Sequence, residues 1–173
     1  MKVFINPGHA PNGVPDPGAV NTVTGTRECD IALMAGELLT KYLQSAGIQT
    51  RMLQSDSLGE ICNTSNWYGA DIFISLHCNA FNTQARGTET IYKSFNGQRL
   101  ASCIQSQIIR SVDTVDRGSK QRDDLYVLNG TDAAAVLVEL AFIDNMDDLD
   151  LLKYQLDTLV RAIARGITDY EGV

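Results

Sequence analysis

An apolar run that ends in a histidine constrains the fold of this chain more than any other feature. Residues 72–76 read Ile-Phe-Ile-Ser-Leu, a composition typical of a strand that is buried on both faces of a parallel sheet. His77 and Asn79 follow at the point where this strand leaves the core. Ligands bind at the carboxyl ends of strands in open α/β sheets, so we predict a functional site here. The competing interpretation of a single histidine is a hydrogen-bonded residue at the boundary of the core.

The other histidine in the chain occupies the same kind of position. A short β-type run over residues 2–5 stops at Asn6-Pro7-Gly8-His9, because proline and glycine are unfavourable inside a central strand. The next segment, 10–26, holds three of the four prolines and predicts a long irregular loop. Loops of this length inside a compact domain are usually functional. Both histidines therefore leave the ends of predicted strands.

The acidic residues that could accompany the histidines are less clearly marked. Glu28 begins a predicted helix, where an acidic side chain also complements the helix dipole without any further role. Asp16 in the loop and Asp30 in the helix compete with it as partners for the histidines. Glu139 stands near the carboxyl end of a buried run of Ala, Val and Leu. An unpaired carboxylate there costs on the order of several kcal/mol unless it meets a cation, a metal or a proton, so we predict that Glu139 is functional.

Predicted strands and helices alternate along most of the chain, which favours an α/β fold. Short β-type runs predict strands at 2–5, 48–53, 72–76, 88–92, 125–128 and 133–140. Apolar periodicity predicts helices at 28–46, 57–69, 98–112 and 147–167. The polar segment 113–124 is typical of a solvated loop. We therefore predict a six-stranded, mostly parallel sheet with helices on both faces, in a single domain that spans residues 1–173.

Composition argues against several classes of partner. The formal net charge of −7 disfavours nucleic acid and anionic membranes, because such partners need clustered Lys and Arg. No apolar run is long enough to span a membrane, so we expect no membrane insertion. The four cysteines lack Cys-x-x-Cys spacing, which argues for free thiols rather than a thiolate zinc site. The first residues do not resemble a secretory signal, so we expect a cytosolic protein, one exported by another route, or a chain shown without its leader.

Two histidines and one carboxylate at strand ends or at the start of a helix can converge on one divalent metal. This is the ligand set of several catalytic zinc hydrolases, which keep a fourth position open for water. A second carboxylate outside the ligand set then accepts the proton of that water, and Glu139 is placed for this role. The chain lacks His-Glu-x-x-His, which excludes proteases that carry two zinc ligands on one helix.

Five short motifs, taken together and in this order, resemble one protein family. They are Ile5-Asn6-Pro7-Gly8-His9, Glu28 at the start of a helix, residues 70–80, Arg117-Gly118, and residues 136–145. The family is that of the zinc-dependent N-acetylmuramoyl-L-alanine amidases of type 3, which cut peptidoglycan, and the resemblance spans nearly the whole chain. Two departures lie outside the expected chemistry. Residues 60–62 stand where the family often has an arginine, and residues 134–135 stand where it often has a proline.

The resemblance implies a role for each candidate residue. His9, Glu28 and His77 would bind one Zn²⁺ ion per chain, and Glu139 would be the catalytic carboxylate. The resemblance thus favours Glu28 over the two aspartates that compete with it. Asn79 matches the asparagine that follows the second histidine in the family and would contribute to substrate binding.

The implied activity is zinc-dependent hydrolysis of the amide bond between N-acetylmuramic acid and L-alanine in bacterial peptidoglycan. We expect a monomer that acts at the cell wall on a glycan-peptide substrate. It would be either a phage endolysin that stays in the cytoplasm until release or a domain of a longer exported enzyme. Two alternatives stay open: a zinc peptidase or deacetylase that acts on another amide, and a non-catalytic wall-binding homologue. The intact set of candidate ligands and catalytic carboxylate argues against the second alternative.

Overall fold

Six strands form one sheet in the computed structural model, which describes residues 1–172. The strands are β1 (Lys2–Pro7), β2 (Gln49–Met52), β3 (Ile72–Asn79), β4 (Thr88–Tyr92), β5 (Asp116–Gln121) and β6 (Ala134–Phe142). The helices are α1 (Glu28–Ser45), α2 (Leu58–Tyr68), α3 (Phe95–Ser111), α4 (Tyr126–Gly130), α5 (Met146–Tyr154) and α6 (Leu156–Glu171), with one 3₁₀ turn at Pro11–Gly13. The predicted α/β class is confirmed.

The strand order is β2-β1-β3-β6-β4-β5, and β4 runs antiparallel to β6 while the other described pairs are parallel. The prediction of a mostly parallel sheet is therefore confirmed. Because β1 lies between β2 and β3, the chain reverses its direction of travel across the sheet after β2. In open α/β sheets the crevice at such a switch point binds ligands, and it is here that β1 leads to His9 and β3 carries His77.

Helices cover both faces of the sheet, as predicted. α1, α3 and α6 pack on one face around a large apolar core that includes Leu39, Ile104 and Ile163. α2 and α4 cover the other face over a smaller core around Phe4 and Phe73, whose rings stack with centroids 5.8 Å apart. None of the helices described in residues 1–172 is long and apolar enough to cross a membrane.

Three predictions for the second half of the chain are wrong in detail. Segment 113–124, predicted as a loop, contains β5, because a strand at the edge of a sheet is partly solvated and commonly carries charged residues. Residues 125–128, predicted as a strand, lead into the short helix α4, which packs against α2. The predicted helix 147–167 is two helices, because the backbone at Gln155 (φ −126°, ψ 13°) departs from helical geometry. The predicted number of strands is correct, but the fifth strand lies elsewhere.

Candidate metal centre and active site

Three side chains converge at the carboxyl ends of β1 and β3. His9 follows β1, His77 lies near the end of β3, and Glu28 is the first residue of α1. One carboxylate oxygen of Glu28 lies 2.9 Å from His9 Nε2, and the other lies 2.9 Å from His77 Nδ1. One potential ligand atom from each residue lies within 4.8 Å of the other two. This spacing and this mixture of nitrogen and oxygen donors suit a shared divalent metal.

Glycines allow the three elements to approach each other closely. A Cβ atom on Gly8 would lie 2.4 Å from the His77 ring, and one on Gly18 would lie 2.5 Å from a carboxylate oxygen of Glu28. His9 has a φ of 66°, a left-handed conformation that costs on the order of 1 kcal/mol in a residue other than glycine. The fold therefore holds a strained backbone at the residue that directs its imidazole toward the carboxylate.

Charge compensation dominates the electrostatics of this group. Burial alone would raise the pKa of Glu28, but hydrogen bonds with His77 and His9 outweigh burial and hold that pKa well below its usual range. Burial alone would lower the pKa of His9, but Glu28 and Asp16 outweigh it and raise that pKa to about 9. When no metal is bound, a proton on the His9 imidazole therefore supplies the positive charge that compensates the buried Glu28 carboxylate. A divalent cation would supply that charge instead and displace the proton.

The aspartates that compete with Glu28 in the sequence occupy different positions. Asp16 Oδ2 lies 2.8 Å from His9 Nδ1, the ring nitrogen opposite to the one that faces Glu28. Its Oδ1 accepts a hydrogen bond from the backbone N–H of Gly18. Asp30 accepts hydrogen bonds from the Arg27 guanidinium instead. Asp16 thus holds the His9 ring from behind, in the manner of the carboxylates that support metal-ligating histidines, and Asp30 has no contact with the histidines.

Glu139 lies beside the three converging residues without belonging to their set. It is on β6, and its Cα is paired with that of His77 in the β3/β6 ladder. Its Oε2 atom is inaccessible to solvent and has no hydrogen-bond partner among the residues that the structure describes. Burial raises the pKa of Glu139 from 4.5 to about 7. A carboxyl group in this state can gain or lose a proton near neutral pH, which is what a general base requires.

Asn79 and Glu89 extend the site toward β4. The Asn79 side chain accepts a hydrogen bond from the backbone N–H of Ala80, and its Nδ2 lies 3.5 Å from Glu89 Oε1. Glu89 is buried and pairs with Glu139 across the antiparallel β4/β6 ladder. Its Oε2 accepts hydrogen bonds from Arg117 and Lys120, at 2.7 and 2.5 Å respectively.

Sequence reasoning missed Glu89 as a site residue. The alternating residues 88–92 predict a strand and assign no role to Glu89, and in the structure all five of these residues are buried. The signal that could have identified Glu89 is the one that identified Glu139, namely a carboxylate within a β-type run. Burial lowers the stability of its charged form, but Lys120 and Arg117 outweigh burial and lower its pKa.

Two cavities flank the converging residues. One has a volume of about 220 Å³, is lined by both histidines, and is bounded on its far side by Tyr126 of α4. The other has a volume of about 770 Å³ and lies between residues 19–23, residues 83–84 and residues 144–147. The predicted loop 10–26 therefore contributes to the walls of both cavities.

Comparison with known proteins places this geometry among cell-wall enzymes. The family model described as N-acetylmuramoyl-L-alanine amidase matches residues 3–169. The N-acetylmuramoyl-L-alanine amidase LytC of Bacillus subtilis is 33% identical over 179 residues, which cover 97% of this chain and 35% of LytC. The protein YqiI of the same organism, described as uncharacterized, is 38% identical, and the match covers 97% of this chain and 84% of YqiI.

Solved structures agree with the sequence comparison. The crystal structure of N-acetylmuramoyl-L-alanine amidase from Clostridium difficile 630 superposes with a TM-score of 0.91 at 28% identity. The superposition covers 99% of this chain and 96% of that one. The similarity therefore extends over the whole sheet and its covering helices.

Proposed function

The chain belongs to the type 3 family of N-acetylmuramoyl-L-alanine amidases, and from this premise we propose that it uses one Zn²⁺ ion to hydrolyse the bond between N-acetylmuramic acid and L-alanine in peptidoglycan. The observation that carries the proposal is the convergence of His9, Glu28 and His77 next to a desolvated Glu139. A peptidoglycan amidase needs a way to polarise an amide and a group that moves a proton, and these residues are suited to the two tasks.

The donor set fits zinc. Two imidazole nitrogens and one carboxylate oxygen come from three separate segments and lie within 4.8 Å of one another, and three protein ligands are typical of catalytic rather than structural zinc. Asp16 accepts from the second ring nitrogen of His9, which fixes the ring and leaves Nε2 free to bind a metal. When bound, Zn²⁺ supplies Lewis acidity toward the scissile carbonyl and the attacking water.

Glu139 moves the proton in this proposal. Its carboxylate accepts a proton from the attacking water as the new carbon–oxygen bond forms. It then returns the proton to the alanine nitrogen as the carbon–nitrogen bond breaks. The products are a lactyl carboxylate on the muramic acid and a free amino group on the peptide. In the metal-free protein, burial raises the pKa of Glu139 to about 7, and the same burial favours a group that alternates between its two protonation states.

Asn79 is the proposed substrate-binding residue. Among residues 1–172, its Nδ2 has only a long contact, 3.5 Å, with Glu89, so it can donate a hydrogen bond to a carbonyl oxygen of the substrate. We also propose that the working unit is a monomer. We further propose that the enzyme acts at the bacterial cell wall, where its substrate is.

The test is to identify the new chain ends in purified peptidoglycan after digestion. We expect free muramoyl lactyl groups and alanine amino termini in equal amounts. We also expect digestion to stop with a chelator and resume with added Zn²⁺. New amino termini on any other residue would identify a peptidase, and new glucosamine amines would identify a deacetylase. Binding to the wall without new termini would mean a non-catalytic homologue.

A further inference from the structure

A second group of charged side chains lies beside the candidate active site and has no part in the mechanism above. It consists of the buried Glu89 and the two cations that donate to it, Arg117 and Lys120. One carboxylate between two cations leaves a net charge of one positive unit. The formal net charge of the chain is −7, so the surplus cation of this three-residue group, counted without the neighbouring Glu139, is a local departure from the charge of the whole molecule. Such a departure is expected where an anionic ligand binds.

A bulge in β5 places both cations on one side of the sheet. Arg117 and Lys120 are three residues apart, so in a regular strand their side chains would point to opposite faces. Here three steps along β5 face two steps along β4, which means that β5 contains one extra residue. Gly118, next to Arg117, has a φ of 77°, a conformation typical of bulges that contain glycine. The bulge therefore lets both side chains reach Glu89.

The charged group is adjacent to the reacting groups and open to solvent. Glu89 is the cross-strand partner of Glu139. The Arg117 guanidinium lies over the Phe142 ring, 4.9 Å from its centroid, so packing as well as charge fixes its position. The side chain of Arg117 is 32% exposed and that of Lys120 is 43% exposed. Both can therefore contact a ligand that lies across the end of the sheet.

We propose that Arg117 and Lys120 bind a free carboxylate of the peptide stem and so direct the enzyme to stems that carry one. The inference rests on the proposed amidase function. A stem whose second residue is isoglutamate presents a carboxylate close to the scissile amide, whereas an isoglutamine stem presents a neutral amide at the same place. Hydrogen bonds from a cation to a carboxylate are roughly twice as strong as neutral ones. Glu89 is a positioning residue, which holds the two cations without cancelling both charges.

The experiment compares two peptidoglycan preparations that differ only in free or amidated isoglutamate. At limiting substrate, we expect the parent enzyme to release alanine amino termini about tenfold faster from the free-acid preparation, the typical size of one charge-assisted hydrogen bond. Lys120→Met and Arg117→Gln should each lose this preference. Each variant should cleave the free-acid preparation more slowly because its KM is raised, and should cleave the amidated preparation at the parent rate. Lys41→Met, at an exposed position in α1, is the matched control and should keep the preference.

The alternative outcomes are distinct from one another. Equal rates of the parent on both preparations would refute carboxylate recognition and leave the amidase function standing, whereas no new alanine termini from either would refute the amidase function itself. If Lys120→Met cleaves both preparations equally slowly and also has a lowered Tm, the role of the charged group is structural. If N-acetylmuramic acid inhibits the parent but not Lys120→Met while both preparations are cut equally, the cations hold the lactyl carboxylate of the product rather than the stem.

Discussion

Glu139 differs from the three candidate metal ligands because one of its oxygens has no partner among the described residues. Glu139→Gln keeps the shape of the side chain but cannot accept a proton. We expect zinc content to stay at the parent level and the rate of peptidoglycan hydrolysis to fall by about 10²-fold or more, the usual contribution of a positioned general base. Metal analysis and a turnover assay measure both. The control is Glu37→Gln, at an exposed position in α1.

Either of two results would contradict that assignment. If Glu139→Gln loses zinc, the carboxylate is a ligand, and the metal would then have four protein ligands as in structural sites. If the variant retains both zinc and near-normal turnover, another group accepts the proton.

The buried carboxyl group also gives the metal-free enzyme a pH-dependent instability. The pKa of Glu139 is about 7 in the folded protein against an ordinary 4.5, so the folded state binds its proton more tightly than the unfolded state does. Its contribution to the free energy of unfolding therefore falls as pH rises from 4.5 to about 7 and is constant above that. In chelator-treated protein, Glu139→Gln should gain up to about 3 kcal/mol relative to the parent between about pH 4 and about pH 8.

Urea unfolding of both proteins at a series of pH values measures this difference. A difference that does not change with pH would mean that Glu139 is not desolvated in the metal-free protein.

Substitutions of Asp16 and Asp30 test whether zinc binding depends on the carboxylate that contacts the second ring nitrogen of His9. Asp16 holds the second ring nitrogen of His9 at 2.8 Å, so Asp16→Asn should weaken zinc binding by about 10- to 100-fold, as loss of such support does elsewhere. Asp30→Asn disrupts a pair with Arg27 and a contact with the Cys29 thiol, neither of which involves a histidine, and it should leave zinc affinity unchanged. Competition with a chromogenic chelator measures both affinities. Equal affinities for the two variants would mean that the His9 ring is held by packing alone.

At this scale the sequence identifies which residues are unusual but not all of their contacts. His9, His77 and Glu139 stand out because polar side chains interrupt or follow apolar runs. The choice between Glu28 and Asp16 cannot be made from spacing, because both residues contact His9 and only the folding of the loop determines which ring nitrogen each one reaches. The sequence pattern places Glu28 and Asp16 near His9, and the conformation of the loop determines which contact each of them makes.

At the scale of helices and strands, the local sequence pattern correctly predicts the strands that are buried in the core. It fails at the edge of the sheet. β3 and β6 are buried in the centre, and their apolar composition predicts them correctly. β5 forms because β4 offers it backbone hydrogen bonds, and its residues, Asp-Arg-Gly-Ser-Lys-Gln, contain no apolar signal at all. α4 packs Val127 and Leu128 into the smaller core as a helix, and four residues are too few for periodicity to distinguish a helix from a strand.

The bulge in β5 can be tested at Gly118. A Cβ atom there would meet nothing within 4 Å, but the φ of 77° disfavours any other residue, so Gly118→Ala should lower the free energy of unfolding by about 1 kcal/mol through backbone strain alone. Gly59→Ala is the control, because that glycine lies in α2, also has open space, and has no positive φ. It should instead stabilise the protein by roughly 0.5–1 kcal/mol.

Urea denaturation of both glycine variants measures these changes. Stabilisation by both substitutions would mean that the backbone at Gly118 relaxes out of the left-handed region, and with it the bulge.

At the scale of the whole molecule, the proposed zinc ion would join parts of the chain that are far apart in sequence. The three candidate ligands belong to the end of β1, the start of α1 and the end of β3. A metal that binds only the folded state stabilises it by about 3 kcal/mol when its free concentration is 100 times Kd. We expect one zinc ion per chain, a Tm that falls with chelator, and loss of both zinc and this Tm difference in His77→Ala. Full zinc content in His9→Ala/His77→Ala would refute the site.

The position of β6 sets when a newly made chain can become active. β6 is the last of the six strands to leave the ribosome, yet it lies between β3 and β4 inside the sheet and carries Glu139. A nascent chain that ends before residue 134 already contains the three candidate ligands, but β3 still has an open edge and the proposed proton acceptor, Glu139, is missing. The order of strands therefore means that the proposed hydrolysis must wait until β6 has been synthesised and has joined β3 and β4 in the sheet.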